Sequence, residues 1–114
     1  AELADSAFIH TDWGAAYVTQ PSWAAYWRHA GGREPPDRRA GLVVDMTRMA
    51  MAAARAGLGA ALVPRRIAAQ DIAAGRLVVR GRVTLPMPWD YVLVYSNAVA
   101  RRRALLALVA HLTA

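Results

Sequence analysis

The sequence has no cysteine and no lysine among its 114 residues, and it has a single phenylalanine. The absence of cysteine excludes disulfide bonds and thiolate metal sites, and it is mildly more typical of a reducing compartment. No apolar run reaches the roughly 18 residues that a membrane-spanning helix needs. The first residues also lack the basic and then apolar pattern of a secretion signal. We therefore expect one globular domain in the cytoplasm, with no membrane contact.

All 14 basic residues are arginine, and the formal net charge is +6. A positive charge of this size can indicate nucleic-acid binding, but here the arginines are scattered along the chain. Adjacent arginines occur only at residues 38–39, 65–66 and 101–103. Proteins that bind nucleic acids usually concentrate basic residues on one face or alternate them with exposed aromatic residues. The sequence therefore does not favour a nucleic-acid site within these residues.

The strongest structural pattern lies between residues 41 and 64. A short apolar run, Leu42–Val44, precedes an alanine-rich helical stretch, and a second short apolar run, Ala60–Val63, follows it. Gly57 and Gly59 separate the helical stretch from the second run, as a left-handed helix stop and a tight entry to a strand. Two short runs on either side of a helix predict a parallel βαβ unit. We expect its two strands to be neighbours in the sheet.

The other elements are predicted from apolar runs and from helix signals. Apolar residues at positions 23, 26, 27 and 30 form the stripe of an amphipathic helix, which Gly31 ends. The other expected elements are strands at Ala7–His10, Leu77–Val79 and Tyr91–Tyr95, and helices at residues 67–73 and Val99–Leu112.

The order of these motifs resembles the effector-binding region of LysR-type transcriptional regulators. The resemblance rests on the aromatic helix, the block Gly57–Pro64, the run Ala73–Val78 and the final strand with its leucine-rich helix. The tryptophan-rich helix is most similar to the branch whose best-known member regulates glycine cleavage. The resemblance implies an α/β fold, specifically a type II periplasmic-binding-protein-like subdomain with a mixed, mostly parallel sheet flanked by helices.

The resemblance also implies how the chain is divided and what it contacts. Residues 1–91 would be the second effector-binding subdomain, and residues 92–114 the return strand and C-terminal helix that pack on a missing first subdomain. The implied partner is a small-molecule effector, and no cofactor is implied. DNA would be contacted only through a missing N-terminal domain, and the full-length protein would be a homo-oligomer.

The C-terminal helix leads to one further expectation. The stripe of Leu105, Leu108, Val109 and Leu112 would lack its family partner and would need another apolar surface. We therefore expect the fragment to form a homodimer.

In this family a small effector lies in the cleft between the subdomains, so the resemblance implies that three loops face it. Thr47 would suit a carboxylate, because it combines a hydroxyl with the free N–H groups of a helix start. Asp45 would repel an anion, and we expect it to cap the helix instead. The candidate effector-binding residues are Thr11, Asp12, Trp13, Met46, Thr47, Pro64 and Arg65.

For two of these candidates, Arg65 and Trp13, the sequence allows two different roles. Arg65 could bind an acid with both arms of its guanidinium group, or it could be an ordinary exposed arginine. Trp13 could close over a ligand or cover the edge of the sheet. The three histidines, at positions 10, 29 and 111, lie on different elements without metal-ligand spacing, so we expect no metal site.

The sequence therefore predicts an effector-sensing fragment of a bacterial LysR-type regulator and not an enzyme. A second hypothesis is a lobe of a periplasmic solute-binding protein, which shares the fold. A third hypothesis is an enzyme on the same fold, and no convergent catalytic set supports it.

Overall fold

The structure, a computed structural model, describes residues 3–14, 21–86 and 92–113. Within these ranges no helix is long and apolar enough to cross a bilayer. Short 3-10 helices cover Asp5–Ala7, Arg38–Ala40 and Asn97–Val99. The longer elements are β1 (Phe8–Thr11), α1 (Trp23–Ala30), β2 (Leu42–Val44), α2 (Thr47–Arg55), β3 (Ala60–Ala61), α3 (Arg65–Ala73) and α4 (Arg103–Thr113).

In the described part of the chain, the sheet contains three parallel strands in the order β2-β1-β3. Ile9 of β1 lies opposite Leu42 of β2 on one side and opposite Ala61 of β3 on the other. The two strands of the predicted βαβ unit thus share a sheet and a direction, but the prediction that they are neighbours is wrong. β1 lies between them because it is the most buried strand, and a buried strand needs hydrogen-bonding partners along both edges.

Helices cover both faces of the sheet because the side chains of β1 alternate between the faces. Ile9 is 1% exposed and packs against Val44 and against alanines of α2. Phe8 is 2% exposed, and its ring meets the ring of Trp23 on α1 edge-on, with the ring centroids 4.8 Å apart. The resulting fold is an α/β layer structure with α2 on one face and α1 on the other.

The helix ends follow the signals in the sequence. The Ser22 side chain accepts a hydrogen bond from the Ala25 backbone N–H at 3.1 Å, which caps the start of α1. Gly31 follows α1 with a φ of 71°, so the predicted stop is confirmed. Gly59 has a φ of 154°, and a side chain there would clash with the Ala7 carbonyl oxygen. The predicted tight entry to β3 is therefore confirmed.

Two predicted strands are wrong in the described residues. Residues 77–79 and 92–95 are irregular, whereas Tyr91 lies outside the described residues. Val78, Val92 and Val94 are 88%, 78% and 82% exposed. A strand needs a neighbour for its backbone hydrogen bonds, and in the described part of the chain neither segment has one. Among the described residues, the sheet is parallel throughout.

The helix predictions hold better, with shifts at the boundaries. The predicted helix α3 is confirmed, although it begins at Arg65 and not at residue 67. The strand before it, β3, ends at Ala61, two residues earlier than predicted. The last helix begins at Arg103 instead of Val99, because a 3-10 turn precedes it. None of the described residues of α4 is buried, and Leu108 and Leu112 are 49% and 58% exposed. The predicted apolar stripe therefore remains largely open to solvent.

A buried carboxylate joins α2, α3 and the turn that follows α3. Asp71 is 9% exposed, and its two oxygens accept hydrogen bonds from Arg55 at 2.7 Å and from Arg76 at 2.6 Å. These two bonds, from Arg76 first and then from Arg55, lower the pKa of Asp71. The cluster fixes α3 against α2 through charge-assisted hydrogen bonds.

Replacing Ile9 by alanine should destabilise the fold by about 2–5 kcal/mol, because it removes a fully buried side chain from the centre of the sheet. Urea unfolding followed by circular dichroism measures this difference. The matched control is Val78→Ala, which truncates an exposed side chain and should change the free energy of unfolding by less than about 0.5 kcal/mol. If the free energy of unfolding decreased equally in the two variants, the central position of β1 in the core would be contradicted.

Replacing Asp71 by asparagine should lower the melting temperature at neutral pH, and the difference from wild type should shrink in acid. The folded pKa of Asp71 lies below its ordinary value of 3.8, so its contribution is present above that value. The contribution is lost as the pH falls through the lowered pKa. Thermal unfolding between pH 7 and pH 2 tests this, with Asp45→Asn as the exposed control. A difference that stays constant at every pH would show that the charge of Asp71 is not involved.

Candidate functional site

The loops that follow the three strands lie together at one edge of the sheet. All three strands are parallel, so their carboxyl ends meet at that edge. Thr11 ends β1 and is followed by Asp12 and Trp13, while Met46 and Thr47 follow β2. Pro64 and Arg65 follow β3 and begin α3. The seven predicted residues therefore occupy the edge at which α/β proteins bind ligands.

A cavity of about 60 Å³ lies at this edge, at the end of β1. Three parts of the chain form most of its wall: the last residues of β1, the start of α1 with the two residues before it, and the 3-10 turn before β2. The residue after β3 completes it. The lining residues are Ile9, His10, Thr11, Pro21, Ser22, Trp23, Arg38 and Leu62.

The residues predicted from the first loop reach this cavity. Thr11 lines it directly. The Asp12 carboxylate forms an ion pair with the lining residue Arg38, with 3.2 Å between Nη2 and Oδ2. The indole N–H of Trp13 donates to the carbonyl oxygen of Pro21 at 2.9 Å. Trp13 thus ties the loop after β1 to the start of α1.

The residues predicted from the other two loops do not line the cavity. Met46 is 47% exposed, and Thr47 is half-buried at the first position of α2. Pro64 is half-buried at the cap position of α3, and Arg65 is exposed. These residues lie on the same edge of the sheet, on either side of the cavity.

The prediction that Asp45 caps α2 is wrong. The cap position is occupied by Met46, whose side chain makes no capping hydrogen bond, and Asp45 lies exposed one residue earlier. A capping side chain must reach the N–H groups of the first turn from the residue that flanks the helix. The first-turn N–H groups of α2 therefore have no side-chain cap from that position.

Sequence reasoning missed two lining residues that carry chemistry, Arg38 and His10. Arg38 lies in a segment with two prolines and several charges, which resembles an ordinary solvated loop. Its position just before β2 was the available signal, since β2 pairs with β1 and brings the turn beside Thr11. His10 was expected at the end of the first strand, without a metal-binding or catalytic role. In the described residues no group of three or more histidine, aspartate or glutamate side chains could hold a metal ion.

His10 is a buried imidazole at the floor of the site. It is 7% exposed, and its Nε2 atom has no hydrogen-bond partner among the described residues. Gly41 lies against the ring, since a Cβ placed on it would be 3.3 Å from Nε2. Burial lowers the pKa of His10, and the positive charge of Arg38 lowers it further. The imidazole is consequently neutral at pH 7, and among the described residues that line the cavity Arg38 is the only cation.

The family model for the LysR substrate binding domain matches residues 1–114. The chain belongs to this family. Members of the family are the effector-binding modules of LysR-type transcription regulators, and they have the type II periplasmic-binding-protein-like fold. Among the curated proteins and the solved structures, none matches the chain. In open α/β sheets, ligands generally bind at the carboxyl ends of the strands, which is the edge where this cavity lies.

The buried His10 of this LysR domain should make its stability depend on pH near neutrality. The pKa of His10 in the folded chain lies below the ordinary value of 6.5. Below that value the unfolded chain takes up a proton that the folded chain does not, so the free energy of unfolding should fall. Urea unfolding at about pH 7.5 and about pH 5 measures the decrease, which should be smaller in His10→Gln.

The control for this experiment is His29→Gln, because His29 is exposed on α1. This variant should keep the pH dependence of wild type. If His10→Gln and wild type lose equal stability over the same pH range, His10 is not the titrating group.

Proposed function

We propose that the chain is the effector-sensing part of a LysR-type regulator from the tryptophan-rich, glycine-cleavage-regulator-like branch. Residues 1–91 form the second effector-binding subdomain, and residues 92–114 are the return segment and C-terminal helix that pack on a first subdomain. The module binds its effector without turning it over. As part of a regulator that acts on DNA, it functions in the cytoplasm.

The observation that carries this proposal is the cavity at the carboxyl edge of the sheet, between the loops predicted to face the effector. Thr11 lines the cavity, and Asp12 pairs with the lining residue Arg38. Trp13, Met46, Thr47, Pro64 and Arg65 form the rest of the edge. A cavity of about 60 Å³ is far smaller than the 300–1,000 Å³ of typical ligand pockets. It therefore suits one end of an effector, and the first subdomain would cover the remainder.

The regulatory consequence is a shift between two arrangements of the subdomains. An effector that binds the closed arrangement better than the open one favours the closed arrangement by the difference in its binding free energies. In the full-length homo-oligomer, the change would reach the DNA through the N-terminal domains. The exposed leucines of α4 support a homodimer of the isolated chain, since an apolar face of this kind is stabilised by a second apolar surface.

An NMR titration of the chain with small metabolites tests the proposal. We expect at least one compound in a panel of carboxylates, amino acids, amines and sugars to shift amide signals at the carboxyl edge. This chain would form only one wall of the effector pocket, so the contacts from the first subdomain would be absent. Binding should therefore be weak, with a Kd of about 1 mM. The shifts should cluster at residues 11–14, 38, 46–47 and 64–65.

Thr11→Val should weaken the binding of such a compound, since it removes a hydroxyl from the cavity wall. The matched control is Thr84→Val, which alters an exposed threonine outside the cavity and should leave binding unchanged. If no compound in the panel shifts the amides of the edge, the effector-sensing proposal is wrong.

A further inference from the structure

One buried titratable side chain lies between β1 and the segment that leads into β2. That segment, residues 37–41, consists of the cap residue Asp37, the 3-10 helix and Gly41, and we call it the turn 37–41. His10 is 7% exposed and lies on the central strand. A Cβ placed on Gly41 would lie 3.2 Å from Cδ2 and 3.3 Å from Nε2 of the ring. The imidazole of His10 therefore packs directly against the backbone of the turn 37–41.

The surroundings of His10 suit the uncharged form of its ring. A neutral imidazole has one nitrogen without a proton, and an imidazolium has a proton on both nitrogens. The Nε2 atom has no hydrogen-bond partner among the described residues. On protonation it would be a buried, charged donor without an acceptor, which is much less stable than a buried neutral ring. A proton on His10 therefore requires some neighbour of the ring to move.

The charged groups around His10 act in both directions. Burial lowers the pKa of His10 most, and the positive charge of Arg38 lowers it further. The negative charges of Asp37 and Asp5 act in the opposite direction. The strands β2 and β3 carry no charged residue. The charged residues of α1 both lie in its last turn and are Arg28 and His29.

The two carboxylates that favour a charged His10 already have hydrogen-bond donors. Asp5 accepts from Arg33 with Oδ1 at 2.7 Å and from the Asp37 backbone N–H with Oδ2 at 3.0 Å. Asp37 accepts from the Arg39 backbone N–H with Oδ1 at 2.9 Å, which caps the 3-10 helix. A carboxylate can therefore approach the protonated ring only if the turn 37–41 changes its shape.

Among the neighbours of the ring, the turn 37–41 is held least firmly. β1 forms hydrogen bonds with strands on both of its edges. The start of α1 is attached to β1, because the Trp23 indole N–H donates to the Ile9 carbonyl oxygen at 2.8 Å. In contrast, residues 37–40 are exposed, and the bond from the Ala40 N–H to the Asp37 carbonyl oxygen spans their short 3-10 helix. Exposed segments of this kind open at a lower free energy than the core does.

We propose that the contact between His10 and Gly41 is a pH-sensitive switch that controls the turn 37–41. The uncharged ring packs against the turn and keeps it beside β1, and protonation of the ring releases it. Arg38 belongs to this turn and lines the cavity, so the release moves its guanidinium group away from the cavity wall. Repulsion between the imidazolium and Arg38 acts in the same direction. The inference goes beyond the proposed function, because the switch operates whatever compound the site binds.

An NMR titration from about pH 8 to about pH 5, the range in which histidine side chains change charge, tests the switch. The pKa values of Asp5 and Asp12 lie below the ordinary value of 3.8, so these carboxylates remain charged throughout. The ring signals of His10 should titrate with a midpoint below 6.5. The amide signals of residues 38–41 should shift with the same midpoint, and those of α2 and α3 should stay nearly constant. The protection of the Ala40 amide against hydrogen exchange should fall at least about tenfold.

Three variants assign the effect to His10. His10→Gln and His10→Phe carry no titrating group at this position, so the turn should have the same amide signals at both ends of the pH range. His10→Phe also keeps an uncharged ring of similar size, and the turn should remain closed in it. The matched control is His29→Gln, because His29 is exposed on α1. This control should respond to pH as wild type does.

Each other outcome overturns the switch. If the ring of His10 titrates and the amides of residues 38–41 do not follow, its charge does not control the turn. If the turn keeps its pH dependence in His10→Gln and His10→Phe, another group is responsible. A ring that stays uncharged down to about pH 5 also contradicts the proposal. If neither variant folds, the wild-type titration decides, because the ring and the turn must share one midpoint. None of these results affects the proposal that the chain senses an effector.

Discussion

The structure depends on the hydrogen bonding of β1 along both of its edges. This strand pairs with β2 through three residues and with β3 through two, and its side chains reach the cores under both helical layers. Because β1 is central, its carboxyl end lies in the middle of the edge where the other strands also end. Thr11, Asp12 and the cavity are consequently placed by the same pairing that forms the core. A change that displaced β1 would remove the core and the site together.

The candidate site combines a buried floor with an exposed rim. Its floor consists of β1 residues held in the sheet, including the buried His10 against Gly41. The rim consists of the exposed pair Arg38–Asp12, in which Asp12 also accepts a hydrogen bond from the Gly14 N–H. In the sensing role that we propose, this floor and rim would be the part of the chain that contacts the effector. We propose that such binding is coupled to the arrangement of two subdomains.

The C-terminal part of the chain has a different character from the layered core. The valines of residues 78–94 and the leucines of α4 are largely exposed, although their composition is that of buried elements. Apolar surfaces of this kind are stable in water only when another surface covers them. The family provides the physical explanation that we propose, namely a first subdomain that supplies the missing sheet and the missing apolar face.

The sequence by itself determined the local structure and the family. Apolar periodicity and glycine positions located β1, β2 and the four α-helices of the described residues. The predicted loops lie at one edge, because the carboxyl ends of parallel strands meet there. Only the tertiary structure decided the strand order, the loss of the strands at residues 77–79 and 92–95, the cap at Met46 instead of Asp45, and the place of Arg38 in the cavity. The reason is physical: periodicity reports which face of a segment is buried, whereas strand pairing and ion pairs depend on distant parts of the chain that hold the partner groups.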